Sequence, residues 1–375
     1  MNIVFVSNFL NHHQIPFCEK MLSLCNEFHF VATENGNSQG YQVSCERPYV
    51  VDFTKEEHYA KKLILNADAV IFGACPSSLI ELRMKENRLS FLYSERFLKK
   101  GLWRRFIPTT RKAINDRILK FKDKNIFVLC ASAFLTYELT LLGFPKEKCF
   151  KWGYFPQTPY ANNEEIKAKK EKHILWAGRL LPLKHPQTAL QVALQLKKEK
   201  QPFILNIVGE GPEQEKLERF IQRNHLQEQV HLLGSKSHEE LLSLMKQHQI
   251  FLFTSDFHEG WGAVLNEAMA SGCAVVASSA VGSVPFLIDD EQNGKIYCYG
   301  KNDQAYQLVH TLLADNALCF RYGSNAVSYV KEKYNYEIAA MRLYEFCIEF
   351  LKNHSTKAFS DGVMSSAATI KNTWR

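Results

Sequence analysis

The sequence predicts an α/β protein of two Rossmann-like domains facing each other across a cleft. Three observations point there. Short apolar runs alternate with helical patterns along most of the chain, as in parallel sheets covered by helices on both faces. The alternation breaks once, at a polar stretch near the middle, and then restarts. A length of 375 residues suffices for two domains, each with its own core.

In the first half, 2–8, 28–33, 67–72, 90–93 and 125–130 read as strands, mostly continuous apolar runs. Helical patterns lie between them at about 14–25, 55–65, 76–86, 111–120 and 134–142. Gly143-Phe144-Pro145 stops the last of these. Residues 1–155 are therefore predicted as one domain. The proline- and asparagine-rich, then charged, stretch 156–172 is predicted as a linker.

Residues 173–335 are predicted as the second domain. Strands are expected at 173–177, 203–208, 230–233, 250–253, 274–277 and 295–297, with helices at about 186–198, 213–223 and 238–246. An apolar helix over 336–352 follows, and the tail 353–375, without periodicity, is expected to be flexible. The uncharged run 268–288 has the length of a membrane span, but its glycines, proline and serines divide it into helix, strand and loop.

The apolar and charged fractions, 46% and 23%, are those of an ordinary globular protein. Ten cysteines occur without a C-x-x-C pair or zinc-ligand spacing, and several sit in apolar runs, as in a reducing compartment. The first residues lack the basic region of a signal peptide, so a cytoplasmic location is expected. The net charge of +7 is uneven: Arg96 to Lys124 holds eleven Lys or Arg against two Asp, among Leu98, Trp103 and Phe106. Such a segment suits an anionic membrane surface on the inner face, or a solvated helix with its apolar stripe in the core. Nucleic acid is not the expected partner.

The most informative segment is 258–272, where Glu259 and Glu267 flank a Gly260-x-Gly262 turn opening a short helix. Backbone N–H groups near Gly262 and Ala263 suit a phosphate, and the two acids suit sugar and ribose hydroxyls. Arg179 and Lys184 follow the first strand of the second domain, where a guanidinium fork and an ammonium can hold a diphosphate. Gly209 and Gly234 end two further strands and either line the nucleotide pocket or serve as plain turns. No D-x-D occurs, and His238-Glu239 and His258-Glu259 lack the second His of a zinc helix. No metal or other cofactor is expected.

Together these residues resemble the family 4, or group 1, retaining glycosyltransferases of the GT-B fold. The resemblance rests on E-x7-E from Glu259 to Glu267, the pair Arg179 and Lys184, and the later Gly282 and Asn293-Gly294. It implies that Glu259 contacts the donor sugar, Glu267 the ribose, and Arg179 and Lys184 the diphosphate. It implies too that the final helix crosses back onto the first domain. The implied function is transfer of a sugar, with retention, from a nucleoside-diphosphate sugar to a hydroxyl of a glycan or lipid-linked glycan in cell-surface polysaccharide synthesis. A UDP-sugar is favoured over a GDP-sugar.

The chain departs from the family pattern at three places. His185-Pro186 follows Lys184 where glycine is frequent, Gly282-Ser283-Val284 replaces a Gly-Gly and Glu element, and Asn8–Gln14 replaces a glycine-rich loop. His12 or His13 either faces the acceptor or sits at the surface as a helix cap. Glu95 either holds acceptor hydroxyls or pairs with the basic segment. Two other functions fit the motifs: a nucleotide-sugar epimerase or phosphorylase of similar architecture, and a non-catalytic membrane- or glycan-binding module.

Overall fold

The structure, a computed structural model, describes residues 1–34 and 47–371. They fall into two compact units: Met1–Gln157 with the chain from Lys333 onward, and Thr158–Glu332. Each unit is a parallel sheet with alternating helices, as the sequence predicts.

In the first unit the strands are β1 (Asn2–Ser7), β2 (Glu27–Ala32), β3 (Val50–Asp52), β4 (Ala69–Phe72), β5 (Ser90–Ser94), β6 (Ile126–Cys130) and β7 (Cys149–Lys151). Their order is β3-β2-β1-β4-β5-β6-β7, with Phe5 beside Phe30 and Ile71. β3 and β7 were not expected. Three residues each are too few to show a period in sequence. The strand order reverses between β1 and β4, so the loops after these strands frame the crevice where doubly wound sheets bind ligands.

The basic segment is not one helix. It comprises a 3-10 turn at Leu102–Phe106, a helix at Pro108–Arg117 and a second turn at Leu119–Phe121. Leu98, Ile114 and Ile118 are buried, whereas Trp103 and Phe106 are 61% and 68% exposed. The guanidinium of Arg105 lies over the ring of Phe106, 4.4 Å from its centroid.

The final helix, Tyr336–Asn353, belongs to the first unit and packs along the helix Ile15–Leu24. Its Phe346 meets Phe91, Phe127 and Phe150 edge to face, with centroids 5.7, 5.3 and 5.1 Å apart. The tail, expected to be flexible, is held over much of its length. Lys151 N–H donates to Ser365 O and Met364 N–H to Lys151 O, so the tail covers the open edge of β7. Val363 and Met364 are fully buried, and Asp361 pairs with Lys333 at 2.5 Å. A free strand edge is a liability, and covering it supplies bonds that composition alone does not show.

The second unit contains β8 (Lys170–Ala177), β9 (Ile204–Val208), β10 (Val230–Leu232), β11 (His248–Phe253), β12 (Ala274–Ser278) and β13 (Lys295–Tyr297), in the order β10-β9-β8-β11-β12-β13. The predicted linker is another correction. Asn163–Lys167 is a helix closed by a capping box of Asn162 and Glu165, and β8 already begins at Lys170. Ile166 anchors this segment beside Ala161 and Val327. The buried Lys169 ammonium donates to Met245 O and His248 O at 2.6 and 3.2 Å. The run 268–288 is divided into helix and strand as expected, with a short helix at Val284–Leu287 where loop was expected, and no helix among the described residues is long and apolar enough to cross a membrane. Here the order reverses between β8 and β11, which places the loops Gly178–His185 and Thr254–Gly262 side by side.

Candidate functional site

The loop after β8 is locked to the end of β11 by the backbone. Asp256 N–H donates to Leu183 O at 2.9 Å, and the Thr254 hydroxyl to Lys184 O at 2.6 Å. The buried Trp176 indole in turn donates to Thr254 Oγ1 at 2.8 Å. This docking brings the Lys184 ammonium into an ion pair with the Glu259 carboxylate, both side chains largely buried. Arg179 stands two residues past the end of β8 on the same loop.

Glu267 lies on the helix Val264–Ala270 with 7% of its surface exposed. Burial pushes its carboxyl up to about 7. The His238 ring stands 3.8 Å away. The turn between the two acids is rigid. Gly262 adopts φ +80°, and a Cβ there would come within 2.5 Å of the Phe253 ring. The fully buried Trp261 donates its indole N–H to Asn266 Oδ1 at 2.8 Å.

Gly209 has a packing role. Its N–H donates to Gly234 O at 2.8 Å, and a Cβ would stand 2.0 Å from the carbonyl oxygen of Gly178. Glycine is required there because the β9 loop presses on the β8 loop. Among the described residues, no group of three or more His, Cys, Asp or Glu side chains is gathered as a metal site.

In the first unit, His13 and Glu95 are brought together by a residue that the motifs did not reveal, Tyr154. The His13 ring stacks on Tyr154, with centroids 5.0 Å and planes 6° apart, and the Tyr154 hydroxyl donates to Glu95. Lys99 also pairs with Glu95, so the salt bridge to the basic segment exists. Burial, with His12 alongside at 3.8 Å between rings, lowers His13 to about 3. His13 is thus a neutral imidazole at physiological pH. Gln14, not either histidine, is the residue before the first helix. The cluster lies at the ends of β1 and β5, where no periodic signal exists to find Tyr154.

Comparison with known proteins fits this geometry. Residues 160–328 match the family model described as glycosyl transferases group 1. That segment resembles the group 1 glycosyl transferases and takes in a little under half of the chain. Among its relatives is an uncharacterized glycosyltransferase of Methanocaldococcus jannaschii, 25% identical over 285 residues, 74% of this chain and 67% of that one. A second, 30% identical over 164 residues, is a Campylobacter jejuni N-acetylgalactosaminyltransferase whose name specifies a diphospho-undecaprenol-linked acceptor. That match takes in 44% of this chain and 43% of the relative, so this chain spans less than half the length of that protein. Among solved structures, HepE of Anabaena in complex with UDP superposes with a TM-score of 0.69 at 15% identity, over 94% of this chain and 99% of HepE. At that identity the likeness speaks for the GT-B fold.

Proposed function

We propose that this chain is a group 1 glycosyl transferase that moves a sugar from a nucleoside-diphosphate sugar, a UDP-sugar by preference, to a hydroxyl of a glycan or lipid-linked glycan, keeping the anomeric configuration. The observation that carries the proposal is the Lys184–Glu259 pair at the reversal of strand order in the second unit, with Glu267 eight residues further on. The UDP held by HepE and the lipid-linked acceptor named for the Campylobacter relative support the substrate classes.

In this reading Glu259 receives donor-sugar hydroxyls and Glu267 the ribose hydroxyls. Arg179 and Lys184, with N–H groups at Gly262 and Ala263, hold the diphosphate. Gly209 and Gly234 shape the wall rather than bind. The departing diphosphate gains charge as the glycosidic bond breaks, so fixed cations stabilise the transition state more than the ground state. Retention follows from attack on the same face. The leaving phosphate oxygen takes the acceptor proton as the new C–O bond forms and the old one breaks. No carboxylate is assigned as a nucleophile, unlike the glycosidase arrangement of two acids about 5 Å apart.

The first unit supplies the acceptor side through His12, His13 and Glu95, with Tyr154 joining the last two. The exposed Trp103 and Phe106, flanked by Arg104 and Arg105, suit peripheral contact with an anionic membrane. The decisive experiment is product analysis with and without acceptor. Transfer of the sugar with retained configuration supports the reading. An epimerised donor, a sugar phosphate formed from inorganic phosphate, or binding without turnover would each select one of the other two functions.

A further inference from the structure

We infer that Asp256 is a positioning residue for Glu259 and Lys184, acting through His185 and His258. The inference rests on the proposed function, because it concerns how the same donor site is held.

Asp256 sits three residues before Glu259 and is 6% exposed. Its two carboxylate oxygens serve two histidines from different loops. Oδ2 lies 3.0 Å from His185 Nε2, and Oδ1 lies 3.1 Å from His258 Nδ1. A carboxylate only accepts, so both facing nitrogens carry hydrogen. Oδ1 also receives His258 N–H at 2.8 Å, and Asp256 O receives Glu259 N–H at 3.1 Å. Burial would raise this carboxyl, yet the donors of His185 and His258 hold it below the usual aspartate range. It is therefore an anion that both loops share.

His185 is the unusual partner. It directly follows Lys184 and adopts the left-handed φ of +48°, a conformation costly to any residue with a Cβ. Glycine would adopt that φ freely but offers no ring. In this chain the ring reaches Asp256, and the Tyr299 hydroxyl stands 3.2 Å from the same Nε2. The strained histidine thus converts a flexible turn into a strut. One end fixes the residue next to Lys184, and the other fixes the backbone N–H of Glu259. Held ion pairs of this kind work in catalysis only if their geometry is kept to a fraction of an ångström.

Two variants separate this strut from plain folding. His185→Gly accepts the left-handed φ and removes only the ring, and Asp256→Asn keeps the shape but has a single acceptor oxygen, so it cannot accept from both histidines. In both, hydrogen exchange of a peptide covering 254–262 should quicken by about tenfold as the loop opens locally. The kcat for UDP-sugar consumption should fall by about 10- to 100-fold, with the donor KM little changed and the melting temperature within a few degrees of wild type. His185→Gln, which restores a donor at similar reach, should recover most of the loss. Wild-type exchange over 254–262 in both variants would overturn the inference, as would a Gln variant no better than Gly. If exchange quickens but the wild-type protein turns over no nucleotide sugar, the strut stands and the proposed function falls.

Discussion

The Lys184 ammonium and the Glu259 carboxylate form an ion pair although 75 residues separate them in sequence. The pair is mostly shielded from water, so removing either partner leaves a charge with poor solvation. In the proposed function a bound donor inserts between these groups, with sugar hydroxyls on the acid and phosphate on the ammonium.

Glu259→Gln is accordingly expected to lower kcat by about 100-fold or more, and also to lower the melting temperature, because the Lys184 charge loses its partner. Steady-state kinetics beside a melting curve check this. Unchanged turnover would remove Glu259 from the chemistry.

Glu267 gives a pH signature. Its folded carboxyl sits at about 7, raised by burial from the usual 4.5. Below pH 4.5 the group is protonated whether the chain is folded or unfolded, so no penalty exists. Between 4.5 and 7 the unfolded chain ionises first, and stability is lost as pH rises. The loss levels off above 7 at about 3 kcal/mol. Glu267→Gln should therefore raise the melting temperature at pH 8 and hardly change it at pH 4. Ribose hydroxyls prefer the ionised acid, so UDP binding near pH 6 should release a proton in wild type and not in the variant. Calorimetry in buffers of different ionisation enthalpy measures this.

The tail offers a test of stability. Deleting residues 359–371 uncovers the edge of β7 and exposes Val363 and Met364, both buried. A loss of several kcal/mol is expected from the burial of two such side chains and the edge bonds. Denaturant unfolding measures it, and a truncated chain as stable as the full one would contradict the packing described.

For the membrane surface, Trp103→Ser with Phe106→Ser should reduce binding to vesicles containing anionic lipid by at least tenfold. Charge reversal at Arg104 and Arg105 should act likewise and make the remainder insensitive to salt. Co-sedimentation reads both. Binding that survives all four changes would end the membrane proposal.

The two-sheet architecture was legible because buried parallel strands are continuous apolar runs, as at Ile250–Phe253, and these can be found without partners. The candidate donor residues Glu259, Glu267, Arg179 and Lys184 stand out in sequence because they follow strand ends at fixed spacing, and the fold brings Lys184 and Glu259 together. What sequence did not show depends on long-range contact. Tyr154 joins His13 to Glu95 only after β1, β5 and β7 are laid in one sheet. Asp256 carries no sequence signal, because His185 reaches it only through the fold. The tail carried no period because its order comes from the β7 edge rather than from its own pattern. Helices at Asn302–Ala314 and Asn316–Lys333 were not picked out, since their apolar positions are diluted by exposed polar residues.

The central claim is that the second unit holds a nucleoside-diphosphate sugar through Glu267 and the Lys184–Glu259 pair. A thermal-shift panel of nucleoside diphosphates and their sugars tests it most directly, because a ligand stabilises the fold according to its concentration over its Kd. The account predicts a dose-dependent rise for UDP and a UDP-sugar that is abolished in Glu267→Ala. No shift with any nucleotide, or the same shift in the variant, would contradict it.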